Sequence, residues 1–120
     1  MDRIDTKFIV PISVLYELLE VVSDYYVLEI NGFRNSLYDT TYFDTINYDM
    51  FMDHAYDIEN RQKIRVRKYL CNDLKFLEIK TKVGEGRTLK KRIKVKHKGL
   101  KRKKNQEFIS KYSKYDLSDL

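Results

Sequence analysis

In the stretch RQKIRVRKYL, residues 61–70, Arg61, Lys63, Arg65 and Arg67 take every second position, and Ile64 and Val66 fill places between them. Successive side chains of an extended chain point to opposite faces of a sheet, so a strand here puts four cations on one face and the apolar residues on the other. The alternation therefore predicts a strand with one cationic and one oily side.

Two further segments repeat the pattern. LKFLEIKTK alternates Leu77 and Ile79 with Glu78, Lys80 and Lys82, and after the glycines of VGEGR, LKKRIKVK alternates Lys90, Arg92 and Lys94 with Ile93 and Val95. Three consecutive antiparallel strands are expected. Upstream, the aromatic and β-branched residues of SLYDTTYFDT predict a strand near residues 37–44, and RIDTKFIV alternates like a first strand with a polar face. Pro11 suits a helix start, and Ile12, Leu15, Leu19 and Val22 follow helical spacing to about Tyr25, as in a packing helix. NYDMFMDHAYD reads either as a short helix or as irregular turns. From residue 96 the cationic KHKGLKRKKNQ leads into EFISKYSKYDLSDL, which predicts a short amphipathic helix with a frayed end. The fold class is α+β, an antiparallel sheet with one N-terminal packing helix and a short C-terminal helix.

A chain of 120 residues with 42% hydrophobic content is long and apolar enough for one modest core. Its 24 Lys and Arg against 18 Asp and Glu leave a net charge of +6, which favours an anionic partner: phosphate, nucleic acid or an acidic membrane surface. Cys71 is alone, so no disulfide framework is expected, and MDRIDTKFIV lacks the regions of a signal peptide. No apolar run is long enough to span a bilayer. A cytoplasmic setting without a transmembrane segment is the expectation.

Placed side by side, the three strands can project Arg61, Lys63, Arg65, Arg67, Lys80, Lys82, Lys90, Arg92 and Lys94 from one sheet face, countered there by Glu78. Cations two residues apart on a strand are separated by roughly 7 Å and repel by about 0.6 kcal/mol in water, or about 2.4 kcal/mol at an effective dielectric near 20. A bound polyanion removes that cost and adds charge-assisted hydrogen bonds, above all from the planar fork of Arg. The alternative is an ordinary solvated sheet face. Such faces tend to mix signs across strands, so three cationic strands together favour anion binding.

Asp5 and Glu78 are the candidate oxygen ligands for Mg²⁺ or Mn²⁺, with local charge balancing as the competing role. Asp44 suits either orientation of a basic side chain or a hydrogen bond at a strand end. Tyr42 and Phe43 read as packing residues. His54, His97 and Cys71 form no ligand-like spacing. The basic run after residue 96 suits a solvated extension, or a contact with nucleic acid or lipid.

The blocks RIDTKF, YFDT (residues 42–45), RQKIRVRKY, FLEIKTK and LKKR occur in the order seen in the vacuolar transporter chaperone (VTC) domain, a relative of the CYTH and triphosphate tunnel metalloenzymes. From residue 3 to about 94 the chain resembles the N-terminal half of such a domain. That resemblance implies a tunnel-like barrel of antiparallel strands, lined by basic side chains that hold a polyphosphate or nucleoside triphosphate, with Mn²⁺ or Mg²⁺ assisting. It implies catalytic roles for Lys7, Arg65, Arg67, Lys80 and Lys90, phosphate binding by these four strand residues and Arg92, and supporting roles for Arg61, Lys63 and Lys82. The E-x-E-x-K opening of the tunnel relatives stands here as Arg3, Asp5 and Lys7.

The organisation expected on this basis is a tunnel half-domain over residues 1–95 and a basic tail with a short helix over 96–120. Such a half is either a truncation or is completed by a second copy. The function expected is binding of polyphosphate or a nucleoside triphosphate and, in a complete or oligomeric form, metal-dependent phosphoryl transfer that extends polyphosphate. The alternatives are a non-catalytic polyanion-binding module or truncated fragment, then a nucleic-acid binder or a triphosphate hydrolase.

Overall fold

The computed structural model describes residues 8–26, 29, 32, 34–84, 86–97 and 99–117. They fall into two compact units, residues 1–34 and 35–120.

The first unit contains α1, Ser13–Val21, which begins two residues after Pro11 and ends with the Val22 N–H donating to the Leu18 carbonyl at 3.0 Å. It stops short of Tyr25 because Val21, Val22, Ser23 and Asp24 are poor helix formers in succession. None of its residues is buried. Within its own unit this nine-residue helix has no second described element against which to bury its Leu stripe. Of the expected first strand, residues 1–7 lie outside the described residues, and Phe8, Ile9 and Val10 adopt no regular structure.

The second unit is a four-stranded antiparallel sheet in chain order, β1 (Tyr38–Phe43), β2 (Arg61–Tyr69), β3 (Lys75–Lys82) and β4 (Thr88–Lys94), with α2 (Asp49–Ala55) between the first two strands and α3 (Lys103–Tyr112) after the last. The segment that read as helix or turns is thus a helix. The β2–β3 turn relies on short polar side chains: Asn72 Oδ1 accepts from the Leu74 N–H at 3.1 Å, and Asp73 takes a left-handed φ of 54°. Between β3 and β4, Gly86 at φ 76° lets the Val83 N–H reach the Arg87 carbonyl at 3.1 Å.

One sheet face carries Ile64, Val66, Leu77 and Ile79, all with at most 1% of their surface exposed. Each such side chain contributes about 1.5–3 kcal/mol by leaving water. Their cover includes Leu100, Phe108, Ile109 and Leu117, so the segment after residue 95 completes the core instead of extending into solvent. The density of Lys and Arg there conceals a helical apolar pair in EFIS, and α3 turns that pair inward. Gln62, also on this face, fixes the turn that follows α3. Its Nε2 donates to Thr81 Oγ1 at 2.9 Å and to the Tyr112 carbonyl at 3.0 Å, while its Oε1 accepts from the Lys114 N–H at 2.9 Å.

The α+β class and the antiparallel sheet match expectation. The sheet itself is open, with β1 and β4 as its edges and no pairing between them. Closure into a barrel requires the edges to meet, and these four strands do not do so.

Candidate functional site

The strand register decides which side chains meet on the other face. Arg65 lies opposite Glu78, which lies opposite Arg92; Lys63 lies opposite Lys80, which lies opposite Lys90. The same pairing aligns Arg61 with Lys82 and places Arg67 opposite Phe76 and Phe76 opposite Lys94. All nine cations considered from the sequence therefore share one face of the sheet. Neighbouring β1 adds Thr40 and Tyr42, paired with Arg67 and Arg65.

Glu78 is fully buried at the centre of this face. Arg65 grips its Oε2 with Nε and Nη2, each at 2.8 Å, and the Lys90 ammonium approaches Oε1 at 2.5 Å, as an ionic contact outside hydrogen-bond geometry. Burial works to raise the Glu78 carboxyl, but Lys90 and Arg65 together outweigh it and hold the group below its ordinary range. The carboxylate is thus ionised and saturated by cations. Among the described residues its contacts are those of a charge-balancing group.

The row Lys63, Lys80, Lys90 brings like charges directly opposite one another, an arrangement that disfavours the unliganded sheet. Burial, with Arg65 and Lys90 adding to it, pushes the Lys80 ammonium below its ordinary value. Lys63 donates to His54 Nε2 at 3.1 Å, and its charge, followed by burial and Arg61, holds the imidazole below its usual value. His54 is therefore a neutral acceptor for a face cation. Arg61 is committed to its own turn, with Nη1 on the Ile58 carbonyl at 3.1 Å and Nη2 2.6 Å from Asp57.

Three aromatic rings prop the guanidinium groups. Arg67 lies 4.7 Å from the Tyr38 ring centroid, Arg92 4.8 Å from Phe76, and Arg65 5.9 Å from Tyr42. Tyr42 is 58% exposed, and its hydroxyl accepts from Arg65 Nη1 at 3.1 Å. Its reading as a packing residue is corrected: it orients a face arginine. Burial works to raise its phenol, but the Arg65 hydrogen bond and the charges of Arg65, Arg67 and Lys63 bring the net shift downward. The sequence signal was the alternation of Tyr38, Thr40 and Tyr42, which becomes readable once β1 is paired with β2.

Asp44 orients no cation. Its carboxylate accepts backbone N–H groups of Thr45 at 2.8 Å, Met50 at 2.9 Å and Phe51 at 2.9 Å, and so organises the start of α2. Tyr48, just before that helix, is held at a left-handed φ of 57°.

Asp5 and Lys7 lie outside the described residues. Among the described residues no three His, Cys, Asp or Glu side chains gather as a metal set, and both Glu78 oxygens face cations. No helix among the described residues is long and apolar enough to cross a membrane.

Comparison with curated proteins and with solved structures finds no match. The family description "VTC domain" does match, over residues 2–118, so it takes in α3 and the segment beyond the last recognisable sequence block. With nearly all of its length matched, and with the ordered motifs RQKIRVRKY, FLEIKTK and LKKR forming one cationic sheet face, the chain belongs to the VTC domain family.

Proposed function

We propose that the cationic face binds linear polyphosphate or the phosphate chain of a nucleoside triphosphate, and that in a complete assembly it serves phosphoryl transfer that extends polyphosphate. The observation that carries this reading is that nine Lys and Arg side chains share one face on which, among the described residues, Glu78 is the one buried carboxylate. Membership of the VTC domain family supports a polyphosphate-related role. Phosphoryl transfer asks a protein chiefly to position oxygens and stabilise spreading negative charge. Arg67, propped by Tyr38, suits forked contacts to phosphate oxygens, while Arg65, whose fork is held by Glu78 and Tyr42, adds positive charge behind it. Lys80, Lys90 and Arg92 continue the row across β3 and β4, with Lys63, Lys82 and Arg61 at its margin. Lys7 belongs to the proposal through the family resemblance. So does a Mn²⁺ or Mg²⁺ requirement, through Asp5 with Glu78 as the second candidate carboxylate.

The open sheet suits completion by a second copy at the β1 or β4 edge. Titration with tripolyphosphate and with a duplex oligonucleotide at matched salt tests the ligand class. Preference for tripolyphosphate supports the reading, whereas preference for duplex with a steep loss of affinity on adding salt would replace it with nucleic-acid binding. Polyphosphate formation from ATP in a buffer containing Mn²⁺ tests transfer. Binding without product or phosphate release at any protein concentration leaves a polyanion-binding module. Sedimentation with and without tripolyphosphate tests self-completion, which a monomer under both conditions would refute.

A further inference from the structure

From Thr88 to Gln106 the chain carries ten Lys and Arg and no Asp or Glu. The first half of that run belongs to β4 and the cationic sheet face. The second half lies beyond β4: Lys96, then Lys101, Arg102, Lys103 and Lys104 at the entry to α3, and the phosphate-binding reading makes no use of them. All five side chains are exposed, and none of them meets a carboxylate among the described residues.

This run is held in place by the fold. Leu100, Phe108 and Ile109 are buried in the core, and Asn105, 3% exposed, donates from Nδ2 to the Gly99 carbonyl at 3.0 Å, which ties the loop to the first turn of α3. The Lys75 ammonium donates to the Lys96 carbonyl at 3.4 Å and brings one more cation to the margin. The charges also work against the helix that carries them. Arg102 stands at the N-cap, Lys103 and Lys104 open the first turn, no carboxylate is present there, and no side chain caps the helix. Cations at that end oppose the helix dipole. Hydration alone is served as well by Glu or Gln, so a fixed platform of mutually repelling cations points to a counter-charge from outside the chain.

The chemistry of the platform selects among anionic partners. Four of its five charges are Lys, compact point charges without the planar fork by which Arg reads individual phosphates. Residues 96–107 include no Tyr, Phe or Trp for a base to stack on. Leu100, the large apolar residue of the run, is turned inward, so the aromatic and apolar anchors of a protein interface, where Lys is depleted, are missing too. What is left is a dense positive field indifferent to the detailed arrangement of its target. Clusters of about four to eight Lys and Arg on a helix match the anionic headgroups of a bilayer in this way.

We infer that the loop and first turn of α3, through Lys96, Lys101, Arg102, Lys103 and Lys104, form a surface that docks on an anionic lipid bilayer. This surface does not depend on the phosphate-binding reading of the sheet face.

The test is cosedimentation of the full chain with phosphatidylcholine vesicles, with and without phosphatidylserine, at low and raised salt. Binding only to the vesicles that contain phosphatidylserine, and weaker binding as salt is added, is expected. Each basic residue near an anionic leaflet is worth about fivefold in partitioning, so Lys101→Gln, Arg102→Gln, Lys103→Gln and Lys104→Gln together should lower it by more than about a hundredfold, while tripolyphosphate affinity holds. The melting temperature should not fall, because these substitutions relieve the start of the helix. If the fourfold variant does not fold, Lys103→Gln with Lys104→Gln reads the same loss at about twentyfold. Wild-type indifference to phosphatidylserine overturns the inference, and so does full retention of vesicle binding in the variants. Loss of binding in Arg67→Ala with Lys80→Ala, but not in the fourfold variant, also overturns it by assigning the contact to the sheet face. Tighter binding of a duplex oligonucleotide than of phosphatidylserine vesicles at matched salt, lost in the same fourfold variant, would replace it with a nucleic-acid surface.

Discussion

Arg65 and Glu78 face each other across β2 and β3, and both Nε and Nη2 of the guanidinium lie 2.8 Å from the same carboxylate oxygen. The arginine most central to the proposed phosphate site is thus also half of a buried ion pair. Removing one partner of such a pair leaves the other desolvated and uncompensated.

Glu78→Gln should therefore lower the unfolding free energy by about 3 kcal/mol, the lower end of the range for broken buried pairs because Lys90 is partly hydrated. It should also tighten tripolyphosphate binding, since the one carboxylate repelling phosphate at the centre of the face is gone. Urea unfolding and calorimetry read the two effects. Weaker binding would mean that Glu78 acts mainly by holding Arg65 in place.

Acid should reveal the same group. The Glu78 carboxyl is held below its ordinary value of 4.5 in the folded chain. Its stabilising contribution is fully present above that value and is lost as pH falls through the lower folded value. Asp53, bonded by Lys114 and Tyr115, and Asp73, bonded by Lys68, shift in the same direction and add to the trend. Wild-type urea midpoints should decline as pH drops below about 4.5, and the Glu78→Gln variant should decline less steeply. Parallel curves would remove Glu78 from the account.

The two faces of β2 should separate binding from stability. Arg67 is half-buried, donates to Thr40 Oγ1 at 3.3 Å and stacks on Tyr38. Arg67→Ala should weaken tripolyphosphate binding by about 1.5–3 kcal/mol, the worth of a hydrogen bond to a charged group, with little change in melting temperature. Ile64, with no exposed surface, should do the reverse on substitution by Ala, losing about 2–5 kcal/mol of stability while the folded fraction keeps its affinity. Arg65→Ala is expected to disturb both, because it strips Glu78 of its main partner. Exchanged phenotypes at 64 and 67 would contradict the register.

Asp44→Ala should cost about 1–2 kcal/mol, as loss of a capping carboxylate does. It should also loosen the segment carrying Tyr48, which hydrogen exchange at the Met50 and Phe51 amides would report as faster opening. Unchanged protection at both amides would show that the contacts to α2 are dispensable.

Much of the sheet was legible because a two-residue period has one structural meaning: Arg61, Lys63, Arg65 and Arg67 could share a face only in a strand, and β2, β3 and β4 lie where their alternation put them. The same period brought the nine cations together before any register was known. Other features depended on partners distant in sequence. Gln62 looks like a polar interruption until residues 112–114 arrive to bond it, and Phe108 and Ile109 are outnumbered by neighbouring charges until α3 packs them on Ile64 and its neighbours. Asp44 gave no sign of the helix it supports, since α2 begins five residues downstream and is reached through those very contacts. Tyr42 was ambiguous because an aromatic residue on a strand serves a core and an arginine equally well.

The segregation of charge from oil across the sheet imposes a rule of parity on the chain. One residue added between Val83 and Arg87 would exchange the sides of β4, bringing Leu89 and Ile93 to the anion side and driving Lys90 and Arg92 toward the core. Two added residues would restore the original sides. Length variation in that turn is therefore tolerable in even steps, and an odd step would abolish the binding row and destabilise the core in a single event.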